Sequence, residues 1–184
     1  MLMKLFYIFV IFAFNSLYAM DGVIRVKDVE GSVAKISQIY KIISNLEKIS
    51  RDSFAKKKDA IQSKYDKLNT NKASIAQETF VKEMQKLEKE YNTFQSEVQK
   101  KMQEIDFIKS KILNMLTLEV NEATRKISSK KGLEKVFGDH FLMYYDQKTN
   151  LDITDEVVAE INKSFSSTNP AQLVEKLQKE FISK

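Results

Sequence analysis

The chain has 184 residues, with 30 Lys and Arg against 25 Asp and Glu for a net charge of +5, four glycines, one proline and no cysteine. The lack of cysteine excludes a disulfide-stapled fold and a lipid-modified cysteine. With His140 as the single histidine, it also leaves no zinc cluster and no Cys–His nucleophile pair.

Residues 1–19, MLMKLFYIFVIFAFNSLYA, carry one cation at Lys4, an apolar stretch from Leu5 to Phe14 and a polar break before Ala19. This reads as a secretory signal peptide. A spanning helix needs about 20 apolar residues, and Asn15 and Ser16 interrupt this run too early. An uncleaved anchor is the alternative, because Leu17 is bulky for a small-residue cleavage site.

VIRVKDV at residues 23–29 alternates, with Ile24 and Val26 on one face and Arg25 and Lys27 on the other, as a half-buried strand does. Ser32 after Gly31 is a candidate cap for a helix starting near Val33. From Ser32 to Lys131 there is neither glycine nor proline, so both strong helix breakers are missing. Apolar residues recur at helical spacing at Ile36, Ile39, Ile43, Leu46 and Ile49, then more thinly at Phe54, Ile61, Tyr65 and Leu68.

NTNKAS at residues 69–74 is the turn-like cluster in this run, and Ser74 with Gln77 reads as a capping box for a second helix. Its stripe passes through Phe80, Met84, Leu87, Tyr91, Phe94, Val98, Met102, Ile105, Ile108, Ile112 and Met115 in steps of three and four, the spacing of a coiled-coil seam. So short a turn predicts an antiparallel hairpin of about 38 and about 57 residues, ~57 and ~85 Å long. Leu113, Leu116 and Leu118 widen the stripe near the end of the longer helix, which predicts that this end packs inside a trunk.

Gly132 follows Lys130 and Lys131 as a C-terminal helix cap. LEKVF at 133–137 and FLMYY at 141–145 read as short strands that complete a three-stranded sheet with VIRVKDV. Thr154 is the expected cap of a helix opening with Asp155 and Glu156, and Asn169 caps another behind Pro170, with Leu173, Val174, Leu177 and Phe181 on one face. The fold class is therefore α+β dominated by helix, a long antiparallel helical hairpin projecting from a small β trunk. The expected divisions are a signal peptide at 1–19, trunk at 20–32 and 132–163, arm at 33–131 with its tip near 69–74, and an amphipathic extension at 164–184. So small a sheet buries little surface and leaves strand edges open, so a symmetric oligomer is expected.

Charge is uneven. Residues 41–131 hold 20 cations against 13 acids, and residues 132–184 hold 6 against 9. A basic helical part attracts anionic partners; for an exported chain these are acidic polypeptides or anionic lipid headgroups, and nucleic acid is not expected.

Several of these pieces fall together in a known arrangement. A strand with Ile24, Val26 and Asp28, a long charged hairpin, then Gly132-Leu133-Glu134-Lys135-Val136, Tyr144 and Asp146, and finally LDITDEV at 151–157 resemble the Skp/OmpH family of periplasmic chaperones over roughly residues 23–163. The hairpin matches any coiled coil, whereas LDITDEV behind a tyrosine strand is distinctive. The resemblance implies a homotrimer in which strands from three subunits close a small β-barrel trunk, here through Ile24, Val26, Val136, Phe137, Leu142 and Tyr144. It implies an activity as well: unfolded outer-membrane proteins are held between helical arms in the periplasm, without ATP or any other cofactor, and no enzymatic chemistry is expected. The absence of a glycine-rich phosphate loop agrees. Arg25 and Lys27 depart from the family's more apolar strand, QKTN lengthens a turn, and residues 164–184 extend past its usual end.

Such a holdase needs many weak apolar contacts rather than one pocket. Phe54, Val81 and Phe107 lie off the seam and are the candidate client contacts; the bland alternative packs them between helices or on the trunk. Lys56, Lys57, Lys58, Lys100 and Lys101 are candidates for steering acidic clients or touching lipid, against the alternative of a solvated helix face. The rival function is a structural coiled-coil or adhesion protein of the envelope that holds no clients.

Overall fold

The computed structural model describes residues 21–25, 32–138 and 150–183. The signal-peptide reading of residues 1–19, the strand positions Val26 and Lys27, and the FLMYY stretch with Leu142 and Tyr144 lie outside the described residues.

Without glycine or proline to break it, the chain forms helix α1 over Ala34–Thr70 and helix α2 over Gln77–Lys131, 37 and 55 residues long. Between them lies a 3-10 turn at Lys72–Ser74. The Ser74 hydroxyl donates to the Asn71 carbonyl at 2.9 Å and closes that turn, so the expected capping box with Gln77 is replaced by a tighter local bond. At the far end Gly132 takes a positive φ of 66°, and the Leu133 N–H donates to the Ser128 carbonyl at 3.0 Å. That six-to-one bond satisfies a carbonyl the helix would leave open, and the left-handed backbone suits glycine.

Among the described residues the sheet is wholly parallel. β1 (Asp21–Ile24) lies between β2 (Val136–Gly138) and β3 (Asn150–Asp152), with Gly22 opposite both Val136 and Leu151. This corrects the sequence reading in two places. β1 begins two residues earlier than VIRVKDV and ends before Arg25. Asn150–Asp152 forms a strand where a turn and the start of a helix were expected. The predicted alternation fails for a physical reason: a central parallel strand is covered on both faces, so Gly22, Val23 and Ile24 are buried in succession. Gly22 is also where neighbours come close, since a Cβ there would lie 2.8 Å from Leu133 Cδ1 and 3.0 Å from Val136 Cγ2.

Helix α3 (Thr154–Ser164) starts directly from β3. Its beginning is held by Asp152, whose Oδ1 accepts from the Thr154 amide and hydroxyl. Thr154 itself is almost fully buried and accepts the Arg25 N–H at 2.9 Å, so its hydroxyl links two elements instead of capping its own helix. Polar contacts then run α3 antiparallel along the end of α2: Glu156 with Lys131, Glu160 with Lys126, and the Ser164 hydroxyl with Glu119. Val157 and Ile161 are buried beneath them. Asn162 closes the entry to α1, with its Oδ1 accepting from Ala34 N–H and its Nδ2 donating to the Ser32 carbonyl.

Helix α4 (Pro170–Ile182) begins as its sequence predicts. The Asn169 side chain accepts from the amides of Ala171 and Gln172, and Pro170 occupies the first turn. The chain divides into two compact units. One holds residues up to Ser37 together with Asn114–Thr168, and the other holds Gln38–Leu113 with Asn169–Lys184. The end of α2 therefore groups with the sheet, and α4 groups with the Gln38–Leu113 part of the two long helices. Among the described residues no helix is long and apolar enough to cross a membrane.

Candidate functional site

In the second unit α1 and α2 lie side by side in opposite directions. Glu47 pairs with Lys109, Lys57 with Glu97, and Lys64 with Glu90, so partners on α2 fall back toward its start as α1 advances. Around the last two ion pairs lies the apolar contact the seam predicts. Ile61, Leu87 and Phe94 are buried together, with Phe54 and Val98 packed against them. The Phe54 and Phe94 rings meet edge to face, 6.1 Å apart at 73°.

Toward the turn this seam opens. A groove of about 640 Å³ runs between the helices, floored by Ile61 and Leu87 and walled by Tyr65, Phe80, Val81, Met84 and Tyr91. Lys58, Gln62, Gln85 and Glu88 form its polar rim. Tyr65, Val81 and Tyr91 are 42%, 43% and 43% exposed, although the stripe places both tyrosines on the seam. Two helices meet along a narrow line. Wide rings at the edge of that line therefore keep a face in water, and the phenol oxygen lowers the cost of doing so.

The sequence-derived candidates do not converge on one place. Val81 lies in the groove. Phe54 is half-buried on the core cluster beside it. Phe107 lies elsewhere on α2, its ring 5.7 Å from that of Phe181 and with the Lys111 ammonium 5.4 Å above it. Of the basic candidates, Lys57 is paired with Glu97, Lys58 is on the groove rim, and Lys101 is bound to Glu104 at 2.7 Å. Lys56 and Lys100 are exposed. In the sheet, Ile24 is buried, Val136 half-buried and Phe137 36% exposed.

Sequence reasoning passed over Tyr65, Phe80, Met84 and Tyr91 by assigning them to the seam. The available signal was chemical: an aromatic hydroxyl at a seam position marks a side chain that is hard to bury completely. Among the described residues no group of three or more His, Cys, Asp or Glu side chains comes together to hold a metal. What the site offers is an open apolar trough with a charged rim, suited to reversible contact with extended or unfolded chain.

Comparison with known proteins agrees with this architecture. A solved structure of a candidate outer membrane chaperone (OmpH-like) from Caulobacter crescentus CB15 superposes with a TM-score of 0.70 at 17% identity, covering 81% of this chain and 87% of that one. At that identity the likeness speaks to the fold. No curated protein matches the chain. The model of the family described as outer membrane protein (OmpH-like) matches residues 22–161, well over half of the sequence. The chain belongs to the Skp/OmpH family.

Proposed function

We propose that the protein is an ATP-independent holdase that keeps unfolded outer-membrane proteins from aggregating in the periplasm. The observation that carries this reading is the groove between α1 and α2, where Tyr65 and Tyr91 on the seam and Val81 beside it stay more than two-fifths exposed. A monomeric protein gains nothing from leaving such a patch in water, whereas a carrier of unfolded chains needs one. Burial of one such side chain yields about 1.5–3 kcal/mol, so several grooves acting together give retention that is strong overall and weak at each point.

The assembly that supplies several grooves is a homotrimer. β2 and β3 have no further strand beside them among the described residues, and Phe137 on β2 is partly exposed. Three copies that close these edges into a β-barrel trunk would remove the open hydrogen-bonding groups and place three helical hairpins around a shared cavity. Leu118 at the end of α2, 65% exposed in the single chain, fits a role in that trunk. The exposed cations Lys56 and Lys100 would draw acidic clients or anionic headgroups to the arms.

Crosslinking tests the reading directly. A photoactivatable residue at Val81 should capture a urea-released outer-membrane β-barrel protein, and one at the exposed Lys135 should not. Equal labelling from both positions, or none from Val81, would count against the groove and favour a structural coiled coil that holds no clients.

A further inference from the structure

We propose that the face of α2 bearing Glu104, Phe107 and Lys111 is a second binding site for apolar, helix-forming segments of unfolded chains, occupied at rest by the protein's own C-terminal helix α4. The inference rests on the client-holding function above.

The contacts have the form of ligand recognition. Gln178 Nε2 donates to Glu104 Oε1 at 2.8 Å, and Phe181 meets Phe107, both pairs at the same 74-residue offset. Here α4 therefore runs parallel to α2. Lys111 spans the two helices, with its ammonium over the Phe107 ring and 3.0 Å from Glu180 Oε1. Glu104 is only 9% exposed, and the same oxygen accepts from Lys101 at 2.7 Å. The face thus presents an aromatic ring, a cation and a carboxylate already held in place by its neighbour. It reads a segment with apolar residues at helical spacing, as Val174, Leu177 and Phe181 are, accompanied by an amide donor and an acid.

The occupant is built to leave. α4 has 13 residues, and a helix of that length is marginal in water without tertiary support. Its own cap at Asn169 and Pro170 lets it re-form on its face without nucleating elsewhere. It lies outside residues 22–161 that the family model covers, whereas its docking face lies inside them. An unfolded segment with the same pattern would compete with α4 for this face. The resident helix would therefore set a threshold that weak clients do not cross and strong ones do.

The test uses the full chain and a fluorescent peptide of residues 169–183 as probe. Phe181→Glu, which puts a charge against the Phe107 ring, should bind the peptide at least tenfold more tightly than the wild type. Leu177→Asp should do the same by a second route. Adding Phe107→Ala should erase the gain, and an unfolded outer-membrane protein should displace the peptide. Equal binding to wild type and both variants, or a gain that survives Phe107→Ala, would overturn the proposal. So would a client that is kept soluble without displacing the peptide, and in that case the holdase reading stands. Peptide binding that switches as described in a protein unable to keep any client soluble would remove the client role of both sites.

Discussion

The backbone N–H of Arg25 donates to Thr154 Oγ1 over 2.9 Å, tying the end of β1 to the start of α3 across 129 residues of sequence. Thr154 is 1% exposed and its hydroxyl also donates to Asp152, so the group is used twice in a dry place. Thr154→Val keeps the shape and strands the Arg25 amide. It should cost about 1–3 kcal/mol, read as a lower urea midpoint with an unchanged slope. Thr154→Ser should recover most of the loss.

Asp152 makes the same junction sensitive to acid. Burial pushes its carboxyl upward, but the hydroxyl and amide of Thr154 and the charge of Arg25, whose Nε lies 3.1 Å away, outweigh that and hold it below the ordinary value of 3.8. A lowered folded-state pKa stabilises the protein above the unfolded value, and the contribution disappears as pH falls through the folded one. Stability should therefore drop below about pH 4. Asp152→Asn should flatten that drop without abolishing it, because Glu160 and Glu175 are also lowered, chiefly by hydrogen bonds from Lys126 and Lys179. The check is the thermal midpoint of both proteins from pH 7 to pH 2.5. Parallel curves would mean that Asp152 contributes nothing to the acid sensitivity.

Gly22 leaves no room for a side chain, with Leu133 and Val136 crowding the space a Cβ would take. Gly22→Val should overpack this centre at a cost of about 1–3 kcal/mol. Since β1 is the strand that β2 and β3 both pair with, loss of amide protection should concentrate in Val136–Gly138 and Asn150–Asp152 and leave residues 80–100 of α2 nearly unchanged. Hydrogen exchange reads that difference.

In the groove, Tyr65→Ala and Tyr91→Ala remove partly exposed walls and leave the buried floor of Ile61 and Leu87 in place. Each should weaken retention of an unfolded β-barrel protein about tenfold or less, through faster release, with the double variant losing more than either. Circular dichroism should show both helices intact. Ile61→Ala, by contrast, should lower helical stability because it opens the packed cluster.

The two long helices were legible in the sequence because nothing competes with them. A hundred residues without glycine or proline, marked by a polar cluster at 69–74 and ended by Gly132, give boundaries within a few residues of Ala34–Thr70 and Gln77–Lys131. The sheet was less legible. Strands of three and four residues are too short to carry a period, and β1 hides its place at the centre because it is buried on both faces. For α4, the face through Val174, Leu177 and Phe181 signals that something covers it. Which surface does so depends on Glu104 and Phe107, seventy-four residues away. The groove was half legible: Val81 stands out as apolar off the seam, whereas Tyr65 and Tyr91 lie on it and are exposed only because two helices cannot enclose rings at that edge.

Light scattering tests most directly the proposed holding of unfolded protein on open apolar surface. An outer-membrane β-barrel protein diluted from urea into buffer with the purified chain, without nucleotide, should stay at baseline scattering. The Tyr65→Ala/Tyr91→Ala variant should let scattering rise. Scattering as high with the wild-type chain as in buffer alone would contradict the claim.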